Sequence, residues 1–231
     1  MSQLFKYQNN ATVTVKRMHV FAIVPVKRLN VSKTRLSEVL SLEKRNELTV
    51  AMLRDVLDTL KSSKVHSVLV VSPDYAVKQI AGEYGFSFIL SRHAGLNPSL
   101  KEAIEWCTQK NAASVLVLPA DLPLVSPEDI SRLIELGSEP STVVLSPSLD
   151  CGTNALLLRP PDVIPVRYGK DSFIKHIEEA LKADVQLRFY ASREVMLDID
   201  SEDDLNKLLE TKDVESKQVF KQLKPLKKTI S

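Results

Sequence analysis

Cysteine is scarce. The chain has two in 231 residues, Cys107 and Cys151, far apart and in no CxxC pair. They suggest no disulfide framework, and a reducing, cytoplasmic setting is the default expectation. The four histidines, His19, His66, His93 and His176, show no metal-ligand spacing. An excess of charge of one sign is also missing. Thirty-one Lys and Arg against 29 Asp and Glu leave a formal +2. That supplies no global field for nucleic acid, so any anion site must be local. No apolar run approaches the roughly 18 residues of a membrane helix, and the N-terminus lacks the charged-then-apolar pattern of a secretory signal. Nucleic acid and membrane are therefore not expected partners.

What is there is an ordinary globular composition, 44% hydrophobic and 26% charged. It is enough for one domain with a sizeable core. Residues 1–17 are polar and without periodicity, and read as an extension. Residues 18–210 read as the domain and 211–231 as a basic tail. From 212 onward the tail carries six lysines against one Asp and one Glu. It reads as solvated, with a helix open to it.

Within 18–210, strand patterns alternate with helical ones. His19–Val24 is a short apolar run before a proline, the pattern of a buried strand. Leu48, Met52, Val56 and Leu60 recur at i, i+4 and predict a helix over 42–61 with Ser41 as N-cap. Further strands are expected at 65–71, 86–90, 114–118, 142–145, 154–158, 185–189 and 195–199. Further helices are expected at 74–84, from Asn97-Pro98 onward, from Ser126, at 171–181 and at 201–209. Asn97 is taken as a cap with Pro98 in the first turn. This order predicts an α/β fold of three layers with a mostly parallel sheet. Ligands of such sheets bind at the carboxyl ends of the strands.

The residues past those ends are the candidates. After the first strand come Pro25-Val26-Lys27-Arg28 and then Ser32-Lys33-Thr34-Arg35, four cations within nine residues. Several positive donors at close range suit a phosphate chain, Lys as a point charge and Arg as a planar fork. The loop holds none of the six glycines, so it is neither a P-loop nor a GxGxxG turn. The bland alternative is a solvated basic loop. After the central strand, Asp121 lies between Pro119 and Pro123, a good place for a hard-metal ligand, or for a carboxylate satisfying turn amides. Asp198 and Asp200 share a face if their segment is extended, and either Asp200 or Ser201 suits the cap of the closing helix. Gly152-Thr153-Asn154 opens a strand. Arg167-Tyr168-Gly169-Lys170-Asp171-Ser172 opens a helix whose N-terminal amides form a natural anion site, or a simple turn with its cap.

Together these segments resemble the 2-phospho-L-lactate guanylyltransferase family of coenzyme F-420 biosynthesis. The matching pieces are Pro25-Val26-Lys27, Lys33-Thr34-Arg35-Leu36-Ser37, Gly95-Leu96-Asn97, Ala120-Asp121-Leu122-Pro123-Leu124, Gly152-Thr153-Asn154-Ala155, Tyr168-Gly169 with Ser172-Phe173, and Asp198-Ile199-Asp200 with Asp203-Asp204-Leu205. They stand in family order across about residues 18–210. No single piece is specific, but the ordered set is.

The resemblance implies a glycosyltransferase-A-like nucleotidyltransferase fold, GTP as donor and a phosphorylated three-carbon acid as acceptor, either 2-phospho-L-lactate or phosphoenolpyruvate. It implies that Pro25, Lys27, Lys33, Arg35, Asn97 and Asp121 meet the nucleotide and that Thr153, Gly169 and Ser172 hold the acceptor. It further implies that Asp121 with Asp198 or Asp200 binds Mg²⁺, and that Lys27, Lys33, Arg35 and Asp121 carry catalysis. Pro98 stands where relatives carry small residues, which bears on base contacts from Asn97. Homodimers are common for such domains, although no interface stripe stands out in the chain. Two other readings remain at this stage. One is a nucleotidyltransferase of the same fold with a molybdopterin or sugar-phosphate acceptor. The other is a nucleotide-binding regulatory module without turnover.

Overall fold

A computed structural model describes residues 19–211 and 216–224. The extension 1–17 and the rest of the basic tail lie outside the described residues. Seven strands occur, β1 (Val20–Pro25), β2 (Ser67–Ser72), β3 (Ser87–Leu90), β4 (Ser114–Val117), β5 (Thr142–Pro147), β6 (Thr153–Arg159) and β7 (Gln186–Phe189). They pair in the order β3-β2-β1-β4-β6-β5-β7. β1 is apolar on both faces, as a central parallel strand must be, with Ile23 opposite Leu69 of β2 and Val117 of β4. β6 alone opposes its neighbours, antiparallel to β4 and β5. The sheet is mostly parallel, as the sequence order predicts.

The helices are α1 (Leu42–Lys61), α2 (Tyr75–Glu83), α3 (Leu96–Gln109), α4 (Pro127–Leu136), α5 (Ser172–Lys182), α6 (Arg193–Met196), α7 (Glu202–Glu210) and α8 (Gln218–Leu223). Alternation along β1 feeds two cores. Val20, Ala22 and Val24 pack with Leu53 and Val56 of α1, Val77 of α2 and Ile130 of α4. Phe21 and Ile23 pack with Leu100 and Ile104 of α3 and Ala180 of α5. A third cluster joins Leu36, Leu48 and Met52 to Leu197, Ile199, Leu205, Val219 and Leu223. This last cluster anchors both loops that carry the candidate cations and acids. Burying one such leucine contributes about 1.5–3 kcal/mol.

Sequence expectations differ from the structure at four places. The segment 195–199 is not a strand. A single turn of helix, α6, forms first because Ser192 caps it through Val195 N–H, and Leu197–Asp200 then runs extended beside Asp121, whose carbonyl accepts from Ile199 N–H at 3.1 Å. Asn97 does not cap α3; the helix begins at Leu96 with Gly95 as N-cap, at φ 109. The basic loop is not solvated throughout: it forms two 3₁₀ turns, Leu29–Val31 and Thr34–Leu36, and buries Ser32 and Leu36. Part of the tail is not solvated either. α8 buries Val219 and Leu223, and the Asp55 carboxylate of α1 accepts the N–H groups of Gln218 and Val219 at 2.7 and 2.8 Å. A carboxylate supplied from another helix thus satisfies donors that α8 cannot satisfy itself.

No helix among the described residues is long and apolar enough to cross a membrane.

Candidate active site

β1 ends at Pro25, and the chain turns through Lys27 and Arg28, both exposed. The loop is held at three points. Leu29 N–H donates to Asp74 at 3.1 Å, Ser32 Oγ stands 2.9 Å from Thr49 Oγ1 of α1, and Leu36 is fully buried. Between those anchors Lys33 adopts the left-handed conformation, φ 53 and ψ 41. A residue with a Cβ does so at a cost of about 1–2 kcal/mol. The turn aims the side chain inward, where it is only 6% exposed, and its ammonium bridges two carboxylates, Asp121 at 2.8 Å and Asp200 at 2.5 Å. Burial alone would lower the Lys33 pKa; the charges of Asp121 and Asp200 outweigh it and leave the pKa raised.

Asp200 reaches this point because Leu197 and Ile199 are buried in the third core, so period-two alternation turns Asp198 and Asp200 the other way. Ser201, not Asp200, caps α7, in a capping box with Asp204. The Asp200 carboxylate is thereby left for Lys33. Burial opposes ionisation of Asp200, but Lys33, with Lys27 and Arg35 behind it, holds its carboxyl below the usual range. Asp198 differs. It accepts from Asn154 Nδ2 at 3.2 Å and has no lysine. Burial first, and then the charge of Asp121, push its carboxyl up to about 6.

Asp121, Asp198 and Asp200 thus share one corner at the carboxyl edge of the sheet. Among the described residues no group of three or more Asp, Glu, His or Cys is spaced to hold a metal ion as it stands. The three carboxylates are the type of oxygen donor a hard divalent cation takes. Two of them, Asp121 and Asp200, are paired with the Lys33 ammonium, and the third, Asp198, accepts from Asn154.

The acceptor candidates gather beside this corner. Antiparallel β6, with Leu156 opposite Val117, begins at the carboxyl end of β4. Its first two residues face opposite ways. Asn154 reaches Asp198, while Thr153 Oγ1 lies 3.0 Å from His176 Nδ1. The start of α5 docks on the preceding turn through Phe173 N–H to the Cys151 carbonyl, 3.3 Å, and Ser172 N–H donates to the Gly169 carbonyl at 3.1 Å. Gly169 sits at φ 125, which only glycine adopts readily. Thr153 and Ser172 are 5% and 2% exposed.

Asn97 does not stand free for a nucleobase edge. Its amide is spent on the acceptor loop, with Nδ2 donating to the Tyr168 carbonyl at 2.9 Å and Oδ1 accepting from Tyr168 N–H at 2.8 Å. It splints the turn that ends in Gly169. Three residues with no role in the sequence reading enter here: Asn154, which orients Asp198; Tyr168, whose backbone holds Asn97; and His176. The alternation along β6 and the i, i+4 spacing of Ser172 and His176 were the available signals.

His176 is fully buried, and burial lowers its pKa to about 4, outweighing the charge of Glu179. The unfolded chain takes up its proton near pH 6.5, the folded one only near 4. The unfolded state therefore binds more protons in that window, and stability falls as pH falls through it. Of the loss between pH 7 and 5, about 2 kcal/mol belongs to this ring and is expected to be absent from His176→Gln in parallel urea titrations. Equal losses in both proteins would mean that the ring already titrates normally.

A mostly parallel sheet thus gathers a basic loop and three carboxylates at its carboxyl edge, beside a helix N-terminus, and its family and relatives make the protein a nucleotidyltransferase. Its fold is shared with a solved nucleotidyl transferase of Methanothermobacter thermautotrophicus, with a TM-score of 0.62 over 82% of this chain and 95% of that one, at 16% identity. Residues 20–228 match the family described as "Guanylyl transferase CofC like", and the chain belongs to that family. It is 42% identical to the phosphoenolpyruvate guanylyltransferase of Rubrobacter xylanophilus over 83% of this chain and 94% of that one. It is 35% identical to the 2-phospho-L-lactate guanylyltransferase of Methanocaldococcus jannaschii, over 80% of each. It is 33% identical to the 3-phospho-D-glycerate guanylyltransferase of Colwellia psychrerythraea, over 83% and 91%.

Proposed function

We propose that this protein is a cytoplasmic, magnesium-dependent guanylyltransferase that joins GMP from GTP to a phosphorylated three-carbon acid and releases pyrophosphate. The observation that carries the reading is the convergence of Asp121 and Asp200 on the buried Lys33 ammonium at the carboxyl edge of the sheet. The unpaired state of both cysteines agrees with a reducing compartment.

A phosphate oxygen of the acceptor attacks the α-phosphorus of GTP. The new bond is P–O–P, and the bond from the α-phosphorus to the bridging oxygen breaks, its electrons leaving with pyrophosphate. The attacking phosphate has a second pKa near about 6 and is largely ionised at neutral pH, so no side chain need remove a proton. That agrees with the role of the buried, neutral His176, which is hydrogen-bonded on both nitrogens. The protein's work is positioning and charge neutralisation. Lys27, Lys33 and Arg35 meet the departing phosphates. Thr153, Gly169 and Ser172 hold the acid. Asp121 with Asp198 or Asp200 would hold Mg²⁺, which would offset repulsion between the two anions.

The acceptor named for the relative at 42% identity is phosphoenolpyruvate, ahead of 2-phospho-L-lactate and 3-phospho-D-glycerate at 35% and 33%. Phosphoenolpyruvate is therefore the first expectation. Pyrophosphate release from GTP and Mg²⁺, measured with each of the three acids separately, is expected to depend on one of them. Release with none of them, from a protein that binds GTP, would reject the reading.

A further inference from the structure

The three segments that carry Thr153, Gly169 and Ser172 meet behind the acceptor corner at one side chain. His176 lies one helical turn beyond Ser172 on α5 and is fully buried. The backbone N–H of Arg167, two residues before Gly169, donates to its Nε2 at 2.9 Å. A ring nitrogen that accepts carries no hydrogen, so the single hydrogen of the neutral ring is on Nδ1. The depressed pKa keeps the ring neutral throughout the physiological range. The edge of the ring contacts Tyr168, centroids 5.1 Å apart and planes 72° apart, which leaves it one orientation.

The tautomer has a consequence at Thr153. Nδ1 is 3.0 Å from Thr153 Oγ1 and also meets the Ser172 carbonyl; with the hydrogen on Nδ1, shared between the two, the threonine can only accept in that contact. Its own hydroxyl hydrogen is then directed away from the imidazole. The opposite tautomer would take that hydrogen, and Thr153 would have none to offer. A wholly apolar side chain would also fill the buried space beside Tyr168 without desolvating an imidazole.

We propose that His176 is a positioning residue for the acceptor: by donating from Nδ1 to Thr153 Oγ1 it fixes the Thr153 hydroxyl as a hydrogen-bond donor toward a carboxylate or phosphate oxygen of the acid. The inference rests on the reading that Thr153 holds the acceptor. It adds how that hydroxyl is set, and it ties the acceptor corner to the metal corner, since the next residue, Asn154, orients Asp198.

The test compares Thr153→Val, His176→Leu, the double variant and His176→Gln, with the KM for GTP and for each of the three acids read from pyrophosphate release. Gln keeps an acceptor for Arg167 N–H and a donor for Thr153. Each single variant is expected to raise the acid KM roughly 10-fold, the size of one lost hydrogen bond to a charged group, with the GTP KM unchanged. The double variant should be no worse than either single, and His176→Gln should recover most of the loss. No effect of Thr153→Val would reject the placement of the acceptor at Thr153. An effect of Thr153→Val with none of His176→Leu would overturn the inference and leave that placement standing. Equal rises in both KM values for His176→Leu, or losses that add in the double variant, would also overturn it, since they report a merely structural role. Should His176→Leu lose its cooperative melt, ¹⁵N imidazole shifts of the wild-type protein decide the matter. A hydrogen on Nδ1 is expected, and one on Nε2 would overturn the inference.

Discussion

Asp121→Asn is expected to lower kcat by at least about 10³-fold while the protein stays folded. The carboxylate is one of two that grip the Lys33 ammonium, at 2.8 Å, and its charge also raises the pKa of Asp198. The substitution therefore changes the electrostatics of the whole corner. It changes little of what holds the turn. Leu122 and Leu124 are buried in two different cores, and the contact with the 197–200 segment runs through the Asp121 backbone carbonyl, which Asn retains. The buried Lys33 ammonium keeps Asp200 as its ion-pair partner and an amide oxygen in place of the Asp121 carboxylate, so the loss stays near about 1 kcal/mol rather than the cost of stranding a buried charge, and the thermal midpoint should move by only about 2–4 °C. Turnover assays and thermal melts on the same preparation separate the two effects. Wild-type kcat in the folded variant at ordinary magnesium would remove Asp121 from the metal site.

Lys33→Ala is expected to raise the KM for GTP by about 10- to 10²-fold, the equivalent of one or two charge-assisted hydrogen bonds. The KM for the acid should change by no more than about 3-fold. Lys33 is the buried cation of the corner, and the left-handed turn at φ 53 exists only to deliver it. Alanine in that conformation keeps the backbone cost and loses the two ion pairs that offset it, so a modest fall in thermal midpoint accompanies the kinetic change. Lys33→Gly relieves the backbone and still lacks the ammonium; it should melt higher than Lys33→Ala and bind GTP no better. Equal losses for GTP and acid would place Lys33 in general architecture rather than at the triphosphate.

The alternation of strands and helices, the apolar central strand and most caps are written locally. Val20–Pro25 can only be a buried strand, and Ser41, Asp74, Ser126 and Ser201 announce their helices through hydrogen bonds that close within a few residues. Periodicity and capping are short-range, so one sequence suffices to read them. The same holds for the resemblance, which depends on residue types in order along the chain.

The site needed more. That Lys33 lies between Asp121 and Asp200, 88 and 167 residues away, rather than in solvent, follows from the burial of Leu36, Leu197 and Ile199 in a common core. That Asn97 pairs with Tyr168 and that His176 stands behind Thr153 are likewise facts of pairing across 71 and 23 residues. By itself the sequence determined the layers of this protein, its family and its inventory of candidate phosphate-handling side chains. Only the tertiary structure decided which of them face one another, because hydrogen bonds and ion pairs depend on separation in space, which is set by packing of segments distant along the chain.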